Sequence, residues 1–139
     1  GVIIIYGSDN ILVANTNTQY PSISTNLTLN LVQAVLQNDG SYGDPFLLST
    51  QSGTIGFYKN QGAALHSRLV ILVQSGTAGQ TVKAQIRGVI NGMPGLISGA
   101  FYYYDTTTNI LTTSVTTYLV GYALSSTSIF FSPQPIYIP

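Results

Sequence analysis

The chain has 139 residues, enough for one domain with a buried core. Only 6% of them are charged, against roughly a quarter in ordinary soluble domains, and four bases balance four acids. With no net charge there is no field to draw in nucleic acid or an anionic membrane surface, so neither is expected as a partner.

Glutamate is absent; the acids are Asp9, Asp39, Asp44 and Asp105, and the bases Lys59, Arg68, Lys83 and Arg87. With 45% apolar residues and so few charges, a free monomer has little protection against association. Its surface must be rich in hydroxyls and amides, covered by partners, or both. Extracellular and virion assemblies meet that condition. Cysteine is absent, so no disulfide framework exists and the redox compartment cannot be read. No apolar run reaches the ~18–20 residues of a membrane helix, so no helical span is expected. The chain begins at Gly1, as a processed precursor or a protein cleaved after a signal peptide would, or one whose start lies elsewhere.

Val2-Ile3-Ile4-Ile5-Tyr6 is a β-branched run that would be hazardous as an exposed edge. It reads as a central strand of its own sheet or as one that pairs with another subunit. Gly7 to Asn10 is a turn, Ile11 to Ala14 a short strand, and Asn15 to Ser24 a polar connector holding Pro21. In Thr25–Gln37, Leu27, Leu29 and Leu31 alternate with Asn26, Thr28 and Asn30. A helical stripe through Leu31, Ala34 and Val35 competes, but no convincing cap accompanies it, so strand is expected throughout. Asn38-Asp39-Gly40-Ser41-Tyr42-Gly43-Asp44-Pro45 is dense in turn formers and is the strongest loop.

Phe46–Thr50, Thr54–Tyr58 and Leu65–Gln74 read as three further strands. In the next, Val82, Ala84 and Ile86 share one face and Lys83, Gln85 and Arg87 the other, the mark of a strand with one wet side. Phe101 to Tyr104 enters a turn at Asp105–Asn109 and Ile110 to Thr113 leaves it, which makes a hairpin. Leu119–Leu124 and Ile129–Phe131, joined through Ser125-Ser126-Thr127, make another. The tail from Ser132 carries prolines at 133, 135 and 139, so it is an edge strand or an arm over a neighbour. The sum is an all-β, antiparallel sandwich or small barrel of about 8–10 short strands. It forms a single domain over 1–139, with 1–6 and 132–139 as candidate inter-subunit arms.

The stretch AGQTVKAQIRGVI…GLISGAFYYYDTTTNILTTS…YLVGYALSSTSIFF, from Gly79 to Phe131, resembles the C-terminal β module of tailed-bacteriophage head-decoration, head-fibre and tail-fibre proteins. In those modules a strand ending in a Gly-Val step leads to a G-x-Y-Y-x-D hairpin with a threonine-rich return. An x-G-x-A-L-S strand and a short apolar strand follow. The matching positions are Gly79, Gly88, Gly99, Tyr102, Tyr103, Asp105, Leu111, Thr112, Gly121, Ala123, Leu124 and Ser125. The resemblance implies a virion-surface protein and a homotrimer; the residues themselves show only a need for partners.

Groups that could carry catalysis are sparse. His66 is the single histidine, beside an apolar run, and reads as a partly buried strand residue. No G-x-S-x-G elbow occurs, soft-ligand metal sites are ruled out, and Gly53-Thr54-Ile55-Gly56 lacks the lysine of a phosphate loop. Asp39 and Asp44 could chelate Ca²⁺ with carbonyl help, or simply form turns. No catalytic residue and no cofactor is expected. Among ten tyrosines, Tyr102, Tyr103 and Tyr104 are consecutive, so a strand sets Tyr103 opposite its neighbours. Such rings suit a subunit interface or a glycan receptor. Asn26-Leu27-Thr28 is a glycosylation sequon, informative only in a secreted, glycosylated chain.

The expected function is that of a non-enzymatic structural virion protein, a capsid-decoration or fibre subunit, acting by self-association and attachment to a capsid or other lattice. The interface candidates are Val2, Ile3, Ile4, Ile5, Tyr6, Tyr102, Tyr103, Tyr104, Ile136, Tyr137 and Ile138. One alternative is a secreted, cell-surface pilus-like filament in which the N-terminal run completes a neighbour's sheet. Another is a carbohydrate-binding β module using Tyr102–Tyr104 or the Asp39–Asp44 loop.

Overall fold

The structure, a computed structural model, describes residues 30–60 and 67–133, together with the strand backbones at 4–6, 11–14, 24–26, 66 and 136–137. Among these residues every named strand pair is antiparallel and no helix occurs. The larger sheet is built from β1 (Ile4–Tyr6), β2 (Ile11–Ala14), β3 (Ser24–Asn26), β4 (Leu31–Val35), β5 (Pro45–Gln51), β6 (Thr54–Tyr58), β7 (His66–Leu72) and β8 (Thr81–Gln85). Their order is β1-β2-β3-β4-β8-β7-β5-β6. The second sheet holds β9 (Gly88–Ile90), β10 (Phe101–Asp105), β11 (Ile110–Thr112), β12 (Tyr118–Ala123) and β13 (Ile129–Phe131), in the order β11-β10-β12-β13-β9. A last strand, β14 (Ile136–Tyr137), pairs with β7.

The larger sheet curls until β6 approaches β4. A single parallel bridge from Leu36 to Phe57 spans the gap, with the Gln37 N–H donating to the Phe57 carbonyl at 2.9 Å. One bridge is not a ladder. The sheet therefore stays open, and of the two expected architectures the sandwich is the one adopted.

Two apolar clusters fill this arrangement. Inside the curl lie Val32, Ala34, Leu36, Phe46, Phe57, Val70, Leu72, Val82 and Ala84. Between the sheets lie Leu47, Leu69, Ile71, Ile90, Met93, Tyr102, Tyr104, Val120, Ala123, Ile129 and Phe131. Successive side chains of a strand point to opposite faces, so β5 and β7 serve both clusters. Phe46 enters the first and Leu47 the second; Val70 and Leu72 enter the first, Leu69 and Ile71 the second. The unbroken Leu69-Val70-Ile71-Leu72 run is apolar on both sides because both sides are buried.

Two departures from the sequence reading have plain causes. Thr25–Gln37 is not one strand but a hairpin, β3 against β4, with Asn26 opposite Leu31. Asn30 sits at φ 56°, a left-handed backbone that asparagine tolerates and a continuing strand does not. The chain also changes sheets between Gln85 and Gly88. The reversal needs φ 93° at Gly88, which glycine reaches without strain. Breaks of this kind raise the count to fourteen strands among the described residues, where the turn spacing suggests eight to ten. The Phe101/Ile110 and Leu119/Ile129 hairpins stand where the sequence puts them.

Candidate interaction face

The second sheet turns one face to the larger sheet and the other to solvent. On β13 the alternation is clean: Ile129 and Phe131 are buried, while Phe130 is 49% exposed. Phe130 stands opposite Val89 on β9 and Tyr122 on β12, and Tyr122 stands opposite Phe101 on β10. Four apolar side chains thus form one row across four adjacent strands, all open to water. Phe101 and Tyr122 make an edge-to-face contact with ring centroids 5.2 Å apart.

A bulge extends the row. Tyr102 pairs with Gly121 but Tyr103 pairs with Leu119, so Val120 is an extra residue on β12. Strict alternation would send Leu119 and Tyr122 to opposite faces; the bulge leaves both exposed and Val120 buried. Gly121 is required at the crossing, because a Cβ there would sit 2.5 Å from the Phe130 carbonyl oxygen. Ile110, 52% exposed, adds an apolar side chain on β11.

Among the strand residues of this sheet only Asp105 is charged. Its carboxylate accepts from the Thr107 N–H at 2.8 Å and the Thr108 N–H at 3.4 Å. Those bonds, the one from Thr107 above all, hold its carboxyl below the usual carboxylate range. Beside it, the Tyr104 hydroxyl donates to Asn109 Oδ1 at 2.9 Å. Burial, with the Asp105 charge as a lesser cause, pushes the Tyr104 phenol up to about 12.

The candidates named from sequence are divided by this geometry. Tyr103 is half-buried on the outer side, as its place in the tyrosine run requires. Tyr102 and Tyr104 are buried in the chain's own core, and Tyr102 also accepts from the Ile97 N–H at 2.9 Å. Neither presents its ring to a partner, because the inward side of β10 is covered by the larger sheet. The backbone of Ile4, Ile5 and Tyr6 is paired with β2 of the same chain, and that of Ile136 and Tyr137 with Ser67 and His66 of β7. Val2, Ile3 and Ile138 lie outside the described residues.

Asp39 Oδ1 accepts from the Ala78 N–H at 2.8 Å, and Asp44 Oδ2 from the Ser41 N–H at 2.9 Å. Asp44 thus ties down its own loop, and Asp39 ties that loop to the one between β7 and β8. Among the described residues no three His, Cys, Asp or Glu side chains gather as metal ligands would.

The exposed row itself was not singled out from sequence. Its signals were present: Phe130 is flanked by residues of the opposite face, and Gly121 marks a close backbone approach. Comparison with protein-family models gives no match, and comparison with curated proteins gives none either.

Proposed function

We propose that the chain is a structural protein without catalytic activity, a capsid-decoration or fibre-type subunit at a virion surface. It acts by associating with its own copies and attaching to a larger protein lattice. The observation that carries this reading is the exposed row Phe101, Tyr122, Phe130 and Val89 on a sheet face whose strands hold one charge. Contiguous exposed apolar side chains are costly on a solitary soluble protein and mark contact surfaces. The resemblance of Gly79–Phe131 to phage virion modules supplies the setting. Pairing of β1 with β2 in the same chain weighs against the filament alternative, in which that run would be donated to a neighbour.

Light scattering on the purified chain, beside a variant lacking residues 1–6, tests the reading. Closed oligomers from both are expected. Polymers from the full chain and monomers from the truncation would replace it with the filament alternative. Monomers from both at every concentration would overturn it.

A further inference from the structure

The outer face of the second sheet is self-complementary in charge as well as in apolarity. Asp105 ends β10, second from one edge, and Arg87 leads into β9 at the other. The strand registers place Asp105 and Gly88, the residue that Arg87 precedes, on the same side of the Phe101–Tyr122–Phe130–Val89 row. Asp105 lies beyond Phe101 along β10. Arg87, exposed, lies two residues before Val89.

From this placement we infer that the face binds the same face of a second copy, about a two-fold axis running parallel to the strands between β12 and β13. That operation exchanges β10 with β9 and β12 with β13. It brings Phe101 over the partner's Val89, and Tyr122 over the partner's Phe130. At one end it brings each Asp105 toward the partner's Arg87, so the lone acid of the face meets a base twice. Sheets stacked in this way lie about 10 Å apart with their side chains interdigitated. An isologous contact needs each patch to match itself, and this one does.

The contact is small. Five strands of three to six residues at about 4.8 Å spacing span on the order of 300 Å² in projection. Stable complexes bury about 800 Å² per partner, so this pairing is reversible and depends on concentration. It suits copies that a lattice already holds close together. The inference rests on the self-association proposed above, and it is separate from the trimer, which would need a head-to-tail contact.

Sedimentation velocity over a concentration series tests it, using the full chain, Phe130→Lys, Arg87→Glu and the double variant Arg87→Glu/Asp105→Lys. Circular dichroism establishes that each is folded. The full chain should form dimers in the upper micromolar range. Phe130→Lys should be monomeric there. Arg87→Glu, which lies outside the strands, should weaken dimerisation roughly tenfold, because two surface ion pairs become like-charge contacts. The double variant should restore it. Unchanged dimerisation in folded Phe130→Lys, or no rescue in the double variant, would overturn the inference. Trimers alike in the full chain and Phe130→Lys would remove this contact and leave self-association standing. Monomers throughout, with or without glycan binding, would remove both.

Discussion

Phe101 and Tyr122 face each other across β10 and β12 with their ring planes 62° apart, in the open rather than in a core. Such a pair contributes about 0.5–1.5 kcal/mol beyond the area it covers, and exposure favours the lower end. A double-mutant cycle with Phe101→Ala and Tyr122→Ala, read by urea unfolding, should give a coupling near 0.5 kcal/mol. Each single change should cost less than about 1 kcal/mol. A loss of several would mean that the row supports the fold rather than a contact.

Tyr104 gives a pH signature. Its phenol titrates near 10 in the unfolded chain and at about 12 when folded, so the native state holds its proton more tightly. The stability this provides is complete below pH 10 and is lost as pH rises from 10 through 12. Tyr104→Phe should flatten that part of the stability curve. Ultraviolet titration should show an ionisation step at about pH 12 in the full chain that Tyr104→Phe lacks. A Tyr104 that ionises near pH 10, as in the unfolded chain, would show that water reaches the Asn109 contact.

The hydroxyls of Ser49 and Ser67 are buried without a hydrogen-bond partner among the described residues. A buried hydroxyl left unpaired carries its desolvation cost with no return. Ser49→Ala and Ser67→Ala should therefore leave stability unchanged or raise it by up to about 1 kcal/mol. A drop in the denaturation midpoint for either would reveal a bonded hydroxyl in solution.

Gly121→Ala should be the most damaging small change. The added methyl would meet the Phe130 carbonyl oxygen at 2.5 Å, and backbone on the neighbouring strand cannot step aside as a side-chain tip can. Overpacking of this kind costs about 1–3 kcal/mol. Gly79→Ala, where nothing lies within 4 Å but φ is 94°, separates conformational strain from collision. It should cost about 1 kcal/mol. If the two variants unfold at the same urea concentration, the close approach at Gly121 is not the cause.

The strand content was legible wherever one face is wet. Val82 and Ala84 turn inward and Lys83 outward, as their alternation says. The turn at Asp105–Asn109 was legible from residue type, since Asp105 bonds the backbone two residues on and Asn109 takes φ 59°. What alternation cannot carry is a change of phase. The extra Val120 on β12 shifts the faces of everything before it, and only cross-strand register reveals the shift. Aromatic density is highest at Tyr102–Tyr104, while the rings of the exposed row lie on three separate strands. The N-terminal apolar run reads as a central strand or one paired with another subunit. Instead Ile4–Tyr6 pairs with β2 of its own chain and ends the order of the described strands, because apolar content alone does not fix a strand's place in a sheet.

The sharing of β5 and β7 between two clusters bears on how the molecule comes apart. Phe46 and Leu47 are adjacent in the chain yet belong to opposite interiors, as do Val70 and Ile71. Loosening either side frees the partition on which the other is built. Among the described residues, lost packing on one face of β5 and β7 should therefore weaken the other face, and the two clusters should unfold in one transition.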